Sequence, residues 1–194
     1  MSRSLEKYRV VVLCEDRTHY HFIRGFLIAQ GIRESRQITL FKGLPEGRQA
    51  GEQFVRENFA EGFRKYASSD ENVIFVVIQD IDQGYKTPES AKQEIYATLQ
   101  EDERRGIHKA DKLLLVFPKR NIETWFEWLS QESQHNAVDE STDFKLKHKE
   151  AKPRKMGERA SKLVDMHEPD ICGTAPSSML HACKGFADLC EALA

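Results

Sequence analysis

Two stretches of this chain are apolar almost without interruption, residues 8–14 (YRVVVLC) and 72–79 (NVIFVVIQ), and each stops at acid. Glu15 follows the first; Asp80 and Asp82 follow the second. Runs of this length, dominated by β-branched residues, read as strands buried on both faces, which is the signature of a parallel sheet. Parallel strands need crossover connections, so helices must lie between them. The two runs therefore restrict the chain to an α/β architecture before any other residue is considered.

The remaining segments fit that rhythm. A helix is predicted over about residues 19–30, with Ile23, Phe26 and Leu27 on one face, and a second short strand over 36–41. KGLPEGRQAG is a loop by its glycines and proline, and the next helix carries Phe54, Val55, Phe59 and Phe63 as its stripe. After the acidic loop DIDQGYKTP, Pro88 can open a helix; residues 112–117 form a fourth strand. Asn121 can cap a helix in which Ile122, Trp125, Phe126 and Leu129 recur at i, i+3, i+4, i+7. From Ser177 onward Leu180, Cys183, Phe186, Ala187, Cys190 and Leu193 restore helical periodicity.

The expected organisation is a Rossmann-like α/β domain over 1–130 with a mainly parallel sheet and helices on both faces. A polar linker or insertion over 131–161 and a C-terminal helical extension over 162–194, docking on the core, complete it. With 194 residues, 40% of them hydrophobic, the chain can build one full core but not two of ordinary size. The 145–162 window holds eight Lys and Arg against Glu150 and Glu158, a local +6 on a chain whose net charge is −2. Lys152, Arg154 and Lys155 in that tract suit contact with a phosphate backbone; a solvated loop is the alternative. No apolar run approaches the roughly 20 residues of a membrane helix, and the polar start SRSLEKYR does not resemble a signal peptide. A cytoplasmic protein with no membrane partner is expected; its four cysteines show no CxxC spacing, and a reducing compartment would leave them as thiols.

Strand C-terminal ends line the ligand crevice of an open α/β sheet. Three carboxylates there repel one another and become tolerable when a hard cation, Mg²⁺ or Mn²⁺, sits among them. Asp80 and Asp82 flank Ile81, so in extended chain their side chains point the same way. For Glu15 the alternative is an interaction with the N-terminus of the first helix. His19 and His21, two apart on a helix, diverge, so zinc is not expected; His19, one turn beyond Glu15, can still face the crevice.

This layout resembles the TOPRIM domain of primases, topoisomerases, recombination mediators and OLD-type and RloB-like nucleases. The resemblance covers roughly residues 8–129. It rests on an apolar strand ending in Glu15, followed by Asp16, Arg17, Thr18, His19 and Phe22, and a later strand ending in Asp80 and Asp82. Asp16 stands where the motif usually has glycine, and His19 where it has a second acid. PKRNIETWFEWL is similar to the RloB-like segment in which a glutamate precedes a tryptophan, here Glu123 and Trp125.

The resemblance implies a Mg²⁺-dependent nuclease hydrolysing phosphodiesters of DNA or RNA. Asp80 and Asp82 would hold metal, Glu15 would bind metal or act as general base, and Glu123 would complete a second site. Two ions about 3.5–4 Å apart would serve attacking and leaving oxygens. Lys119 and Arg120 could stabilise phosphate charge, and Lys42, beside Gly43 and Gly47, could touch phosphate. Relatives of the OLD and RloB-like groups work in antiviral phage defence with an ABC or SMC-like ATPase, so such a partner is implied; homo-oligomerisation is left open. Two other readings stand beside this one. A receiver-like signalling domain would use Glu15, Asp16, Asp80 as phospho-acceptor and Lys119, and a noncatalytic TOPRIM scaffold would only bind nucleic acid.

Overall fold

The computed structural model describes residues 7–29, 32, 37–43, 51–68, 70–81, 86–107, 111–131, 136–149, 153–160 and 174–193. Within them lie four strands, β1 (Arg9–Cys14), β2 (Ile38–Leu40), β3 (Val73–Ile78) and β4 (Leu113–Val116), and seven α-helices. The helices are α1 (Arg17–Ala29), α2 (Glu52–Gly62, running on into a π-helical turn, Phe63–Ala67), α3 (Pro88–Tyr96), α4 (Glu101–Gly106), α5 (Ile122–Leu129), α6 (Pro153–Ala160) and α7 (Ser177–Ala192).

All strand pairings are parallel, and the order across the sheet is β2-β1-β3-β4. The burial on both faces predicted for these strands is realised. Val10, Val12 and Cys14 of β1 join Ile74, Val76 and Ile78 of β3 in a core shared with α1, α5, α6 and α7. Val11, Leu13, Phe75 and Val77 point the other way into a core with α2, its π turn and α3. The fold is thus a Rossmann-like parallel α/β sandwich. Among the described residues no helix is long and apolar enough to cross a membrane.

The chain passes from β1 outward to β2 on one side and then returns to place β3 on the other side of β1. The sheet's order reverses between β1 and β3, and the carboxyl ends of two such strands are where an open α/β sheet has its ligand crevice. Glu15 and Asp80 follow those two strands. An isolated parallel bridge between Ile81 and Lys119 carries the β3–β4 pairing past the strand ends and stiffens one wall of the crevice.

Local sequence explains most of the helix ends. Thr87 and Ser90 form a reciprocal capping box with Pro88 in the first turn of α3. Gln100 and Glu103 do the same for α4, a short helix that the sequence pattern does not separate from α3. α5 is too short to persist alone and is held by burial of Ile122, Trp125, Phe126, Trp128 and Leu129. The Trp125 Nε1–H donates to Ser178 Oγ at 2.8 Å, which ties α5 to α7.

The stretch expected to be a polar linker contains α6, whose Met156, Gly157 and Ala160 are buried. Its backbone approaches that of α1 so closely that side chains at the contact would obstruct it. A Cβ placed on Gly25 would lie 2.0 Å from the Gly157 carbonyl oxygen, and one on Gly157 would lie 2.5 Å from the His21 oxygen. In an exposed helix, Gly→Ala stabilises by roughly 1 kcal/mol. Here the sign should invert: Gly25→Ala is expected to destabilise by about 1–3 kcal/mol through overpacking, measured by urea unfolding. A neutral or stabilising result would show that α6 does not sit against α1.

Candidate metal centre

Glu15 leaves β1 buried, 8% exposed, and its Oε1 accepts the backbone N–H of Asp80 at 3.0 Å. One side chain thereby staples the ends of β1 and β3 where their ladder stops. The alternative role for Glu15, at the helix terminus, falls instead to Asp16. Its Oδ1 accepts the N–H groups of Thr18 at 2.7 Å and His19 at 3.0 Å, the pattern of an N-cap on α1. The position where the resembling motif has glycine thus carries a capping side chain.

His19, in the first turn of α1, is 2% exposed and is held at both ring nitrogens. Nδ1 lies 2.8 Å from Asp16 Oδ1, and Nε2 lies 2.9 Å from Asp80 Oδ1. Both neighbours are acceptors, so the ring bonds both only when each nitrogen carries a proton. Burial disfavours that charged form, but the Asp80 charge and the hydrogen bonds to Asp16 and Asp80 outweigh it and raise His19 well above its ordinary value. Asp16 shows the reciprocal effect. Burial works against its charge, yet the hydrogen bond and charge of His19 bring its carboxyl down to about 2. Burial pushes the neighbouring Cys14 thiol up to about 12, so it stays protonated and packs as a small apolar group.

Among the described residues, Glu15, His19 and Asp80 form a group in which one ligand atom of each lies within 4.8 Å of the others. Two carboxylates and an imidazole constitute a donor set that could hold a divalent ion, and their position at the sheet's switch point is where a ligand is expected. The expectation that Glu15 and Asp80 converge is met. The third expected carboxylate, Asp82, lies outside the described residues; the third group of the described cluster is His19, whose signal in the sequence is its place one helical turn after Glu15.

Glu123, in the first turn of α5, is partly buried, and its Oε2 is enclosed without a hydrogen-bond partner among the described residues. Burial, reinforced by the charge of Asp80, raises its carboxyl above the ordinary value; its own backbone N–H, His19 and Lys145 act in the opposite direction. It is electrostatically part of the site without belonging to the close trio.

Lys119 is fixed through its backbone, whose N–H donates to Ser178 Oγ at 3.1 Å, and its ammonium charge is felt at Asp139. Arg120, in the left-handed region at φ 70°, faces Asp143 at 3.6 Å. Lys42 is drawn away from the crevice, its Nζ on Glu61 Oε2 at 2.5 Å. Arg154 and Lys155 are exposed at the start of α6, where Arg154 pairs with Glu158 at 3.2 Å; Lys152 lies outside the described residues. A cleft of about 610 Å³ runs along the outer edge of β4 between α3, α4 and α7 and, among the described residues, gathers no cluster of metal-ligating side chains.

No family model matches the chain, and no curated protein or solved structure is significantly similar to it.

A raised histidine pKa contributes stability that is fully present below the unfolded value of about 6.5 and is lost as pH rises through the folded value. Metal-free protein at pH 7.5 is therefore expected to show imidazolium ¹⁵N shifts for His19. The stability difference between wild type and His19→Gln should be full at pH 6 and shrink on the alkaline side. A neutral ring at pH 7.5 would mean that the two carboxylates do not both hold it.

Proposed function

We propose that this protein is a metal-dependent phosphodiester hydrolase acting on nucleic acid, with its centre at Glu15, His19 and Asp80. The observation that carries the proposal is the buried trio itself, two carboxylates and an imidazole at the switch point of a parallel sheet, within 4.8 Å of one another. A divalent ion held there would supply a Lewis acid for the phosphoryl group and would lower the pKa of a bound water. Mg²⁺ and Mn²⁺ both suit the carboxylates; for His19 to serve as a ligand, the ion would have to displace its Nε2 proton from the contact with Asp80, and the neutral imidazole would then favour Mn²⁺ of the two. On the resemblance, Asp82 and Glu123 would serve a second ion.

The protein's own residues would do the rest. Glu15 and Asp80 would hold the cation, Asp16 fixes the His19 ring, and Glu123, with its raised carboxyl, would carry a proton where no second ion engages it. The resemblance to TOPRIM nucleases of the RloB-like and OLD-type groups agrees with this chemistry, and it is the sole support for phage defence beside an ATPase partner and for a cytoplasmic setting. The receiver-like alternative is less well supported, because Asp80 is 3% exposed and engaged by His19, whereas a phospho-acceptor must be open to its donor.

The deciding experiment is cleavage of plasmid DNA and tRNA with Mg²⁺ or Mn²⁺, with and without the product of any neighbouring ATPase gene. Glu15→Gln keeps an oxygen for the Asp80 N–H while removing a charge. It should cut metal-dependent turnover by roughly 100-fold or more, in line with loss of charge stabilisation at the reacting centre, and leave the melting temperature near that of wild type. Metal-dependent activity that survives in Glu15→Gln would move the chemistry elsewhere, and its absence from wild type under every condition would leave the scaffold reading.

For the basic tract, replacing Arg154 and Lys155 by Gln should weaken nucleic-acid binding and flatten the slope of log K against log salt by about 1.4–1.8, since each phosphate contact contributes about 0.7–0.9. An unchanged slope would remove α6 from the interface.

A further inference from the structure

Segment 136–149 leaves the end of α5 and returns to the crevice, fixed on both sides of one lysine. Before it, Asp143 Oδ1 accepts Asn121 Nδ2 at 3.1 Å and the Lys145 backbone N–H at 2.9 Å. After it, Lys147 Nζ and His148 Nε2 meet the two oxygens of Glu127 at 2.6 and 2.8 Å, and the His148 ring stands edge-on to Phe126. Between these anchors Lys145 extends a half-exposed side chain whose Nζ lies 4.0 Å from Asp80 Oδ2. The other oxygen of Asp80 faces His19, so the carboxylate at the heart of the candidate centre meets nitrogen on both sides.

An ammonium and a divalent ion compete for the same carboxylate oxygen, and at about 4 Å their charges repel strongly in a partly enclosed site. Phosphate is the ligand that removes the conflict, because its oxygens can face the ion and the ammonium at once. Lysine suits such an exchange, since a compact charge on a flexible four-carbon stem can move between partners while its backbone stays in place.

We propose that Lys145 is a substrate-binding residue, pairing with Asp80 while the crevice is free of ligand and turning to a phosphate oxygen of the substrate once a divalent ion engages Asp80. This deepens the metal-centre reading and rests on it. The ligand class is a phosphate ester, and the contact is to its non-bridging oxygens, independent of base.

The experiment uses the full chain as wild type, Lys145→Met, Lys145→Arg and Glu15→Gln. Mn²⁺ alone is titrated by electron paramagnetic resonance, and inorganic phosphate is then titrated calorimetrically at saturating Mn²⁺. Lys145→Met should bind Mn²⁺ about tenfold more tightly than wild type, because a competing, partly screened charge is gone. It should bind inorganic phosphate about tenfold more weakly, and Lys145→Arg should recover most of that loss, which a merely structural ion pair would not produce. Unchanged or weaker Mn²⁺ binding by Lys145→Met, or unchanged phosphate binding, overturns the proposal. Wild type that binds no Mn²⁺, matching Glu15→Gln, removes the metal centre and this proposal with it, and that failure is visible before the lysine variants are compared.

Discussion

The imidazole of His19, held between Asp16 and Asp80, is the contact on which the crevice depends. Three acidic groups, Glu15, Asp16 and Asp80, follow the ends of β1 and β3, and two of them are buried. Placing like charges together out of water is costly, and each unpaired buried charge would cost several kcal/mol. A protonated His19 offsets two of the three by touching them both. The third, Glu15, is relieved differently, by the backbone N–H of Asp80. The ring also joins the N-cap of α1 to the end of β3, so the helix start and the central strand cannot shift independently. Replacing such a pair by apolar residues of equal volume is often neutral or stabilising. Stability alone therefore does not call for charge here, whereas a cation-binding function does.

Topology supplies the reason that these residues meet. β1 and β3 are neighbours in space but are separated in sequence by α1, β2 and α2, and the chain reverses its direction across the sheet between them. Two crossovers, one on each face, draw the loops apart and open the edge. Nothing about residue 15 alone requires residue 80 as its partner; the requirement comes from two strands apolar on both faces, which must occupy the centre of a parallel sheet and so end side by side.

How much of this was legible in the sequence follows from the same physics. The four strands and the α5 stripe could be read because burial fixes their periodicity; for α7 the helix was legible but its face was offset, since Met179, Ala182, Phe186, Leu189 and Leu193 are buried whereas Ala187 is exposed and Leu180, Cys183 and Cys190 are only partly buried. The convergence of Glu15 and Asp80 followed from strand ends and needed no side-chain detail. The role of Asp16 was hidden, because two adjacent acids before a helix are interchangeable on paper and only the backbone decides which one caps. α6 was hidden for another reason: half of PRKMGERA is charged, and its docking depends on Met156, Ala160 and a glycine whose value is the absence of a side chain. Gly25, a poor helix former in the middle of α1, was the matching clue, but a close approach can be recognised only when both glycines are seen together.

The C-terminal helix shows how far the site's support extends. α7 starts at Pro176 without a side-chain cap of its own, and its open N–H groups are met from 136–149. Glu140 accepts the N–H of Ser177 at 3.0 Å and of Ser178 at 3.1 Å, where a negative charge also opposes the helix dipole favourably. Ser178 Oγ donates to Glu140 and accepts from Trp125 Nε1 and the Lys119 N–H. A single hydroxyl thus connects α7, α5, the end of β4 and the segment that carries Lys145. The resulting crevice has an acidic floor, formed by Glu15 and Asp80, and a basic group, Lys145, at its side. Bare phosphate would be repelled by the floor, and a bare cation would leave the side uncompensated. A cation together with a phosphate would satisfy both surfaces, and the proposed phosphoester chemistry rests on this charge arrangement more than on any one residue.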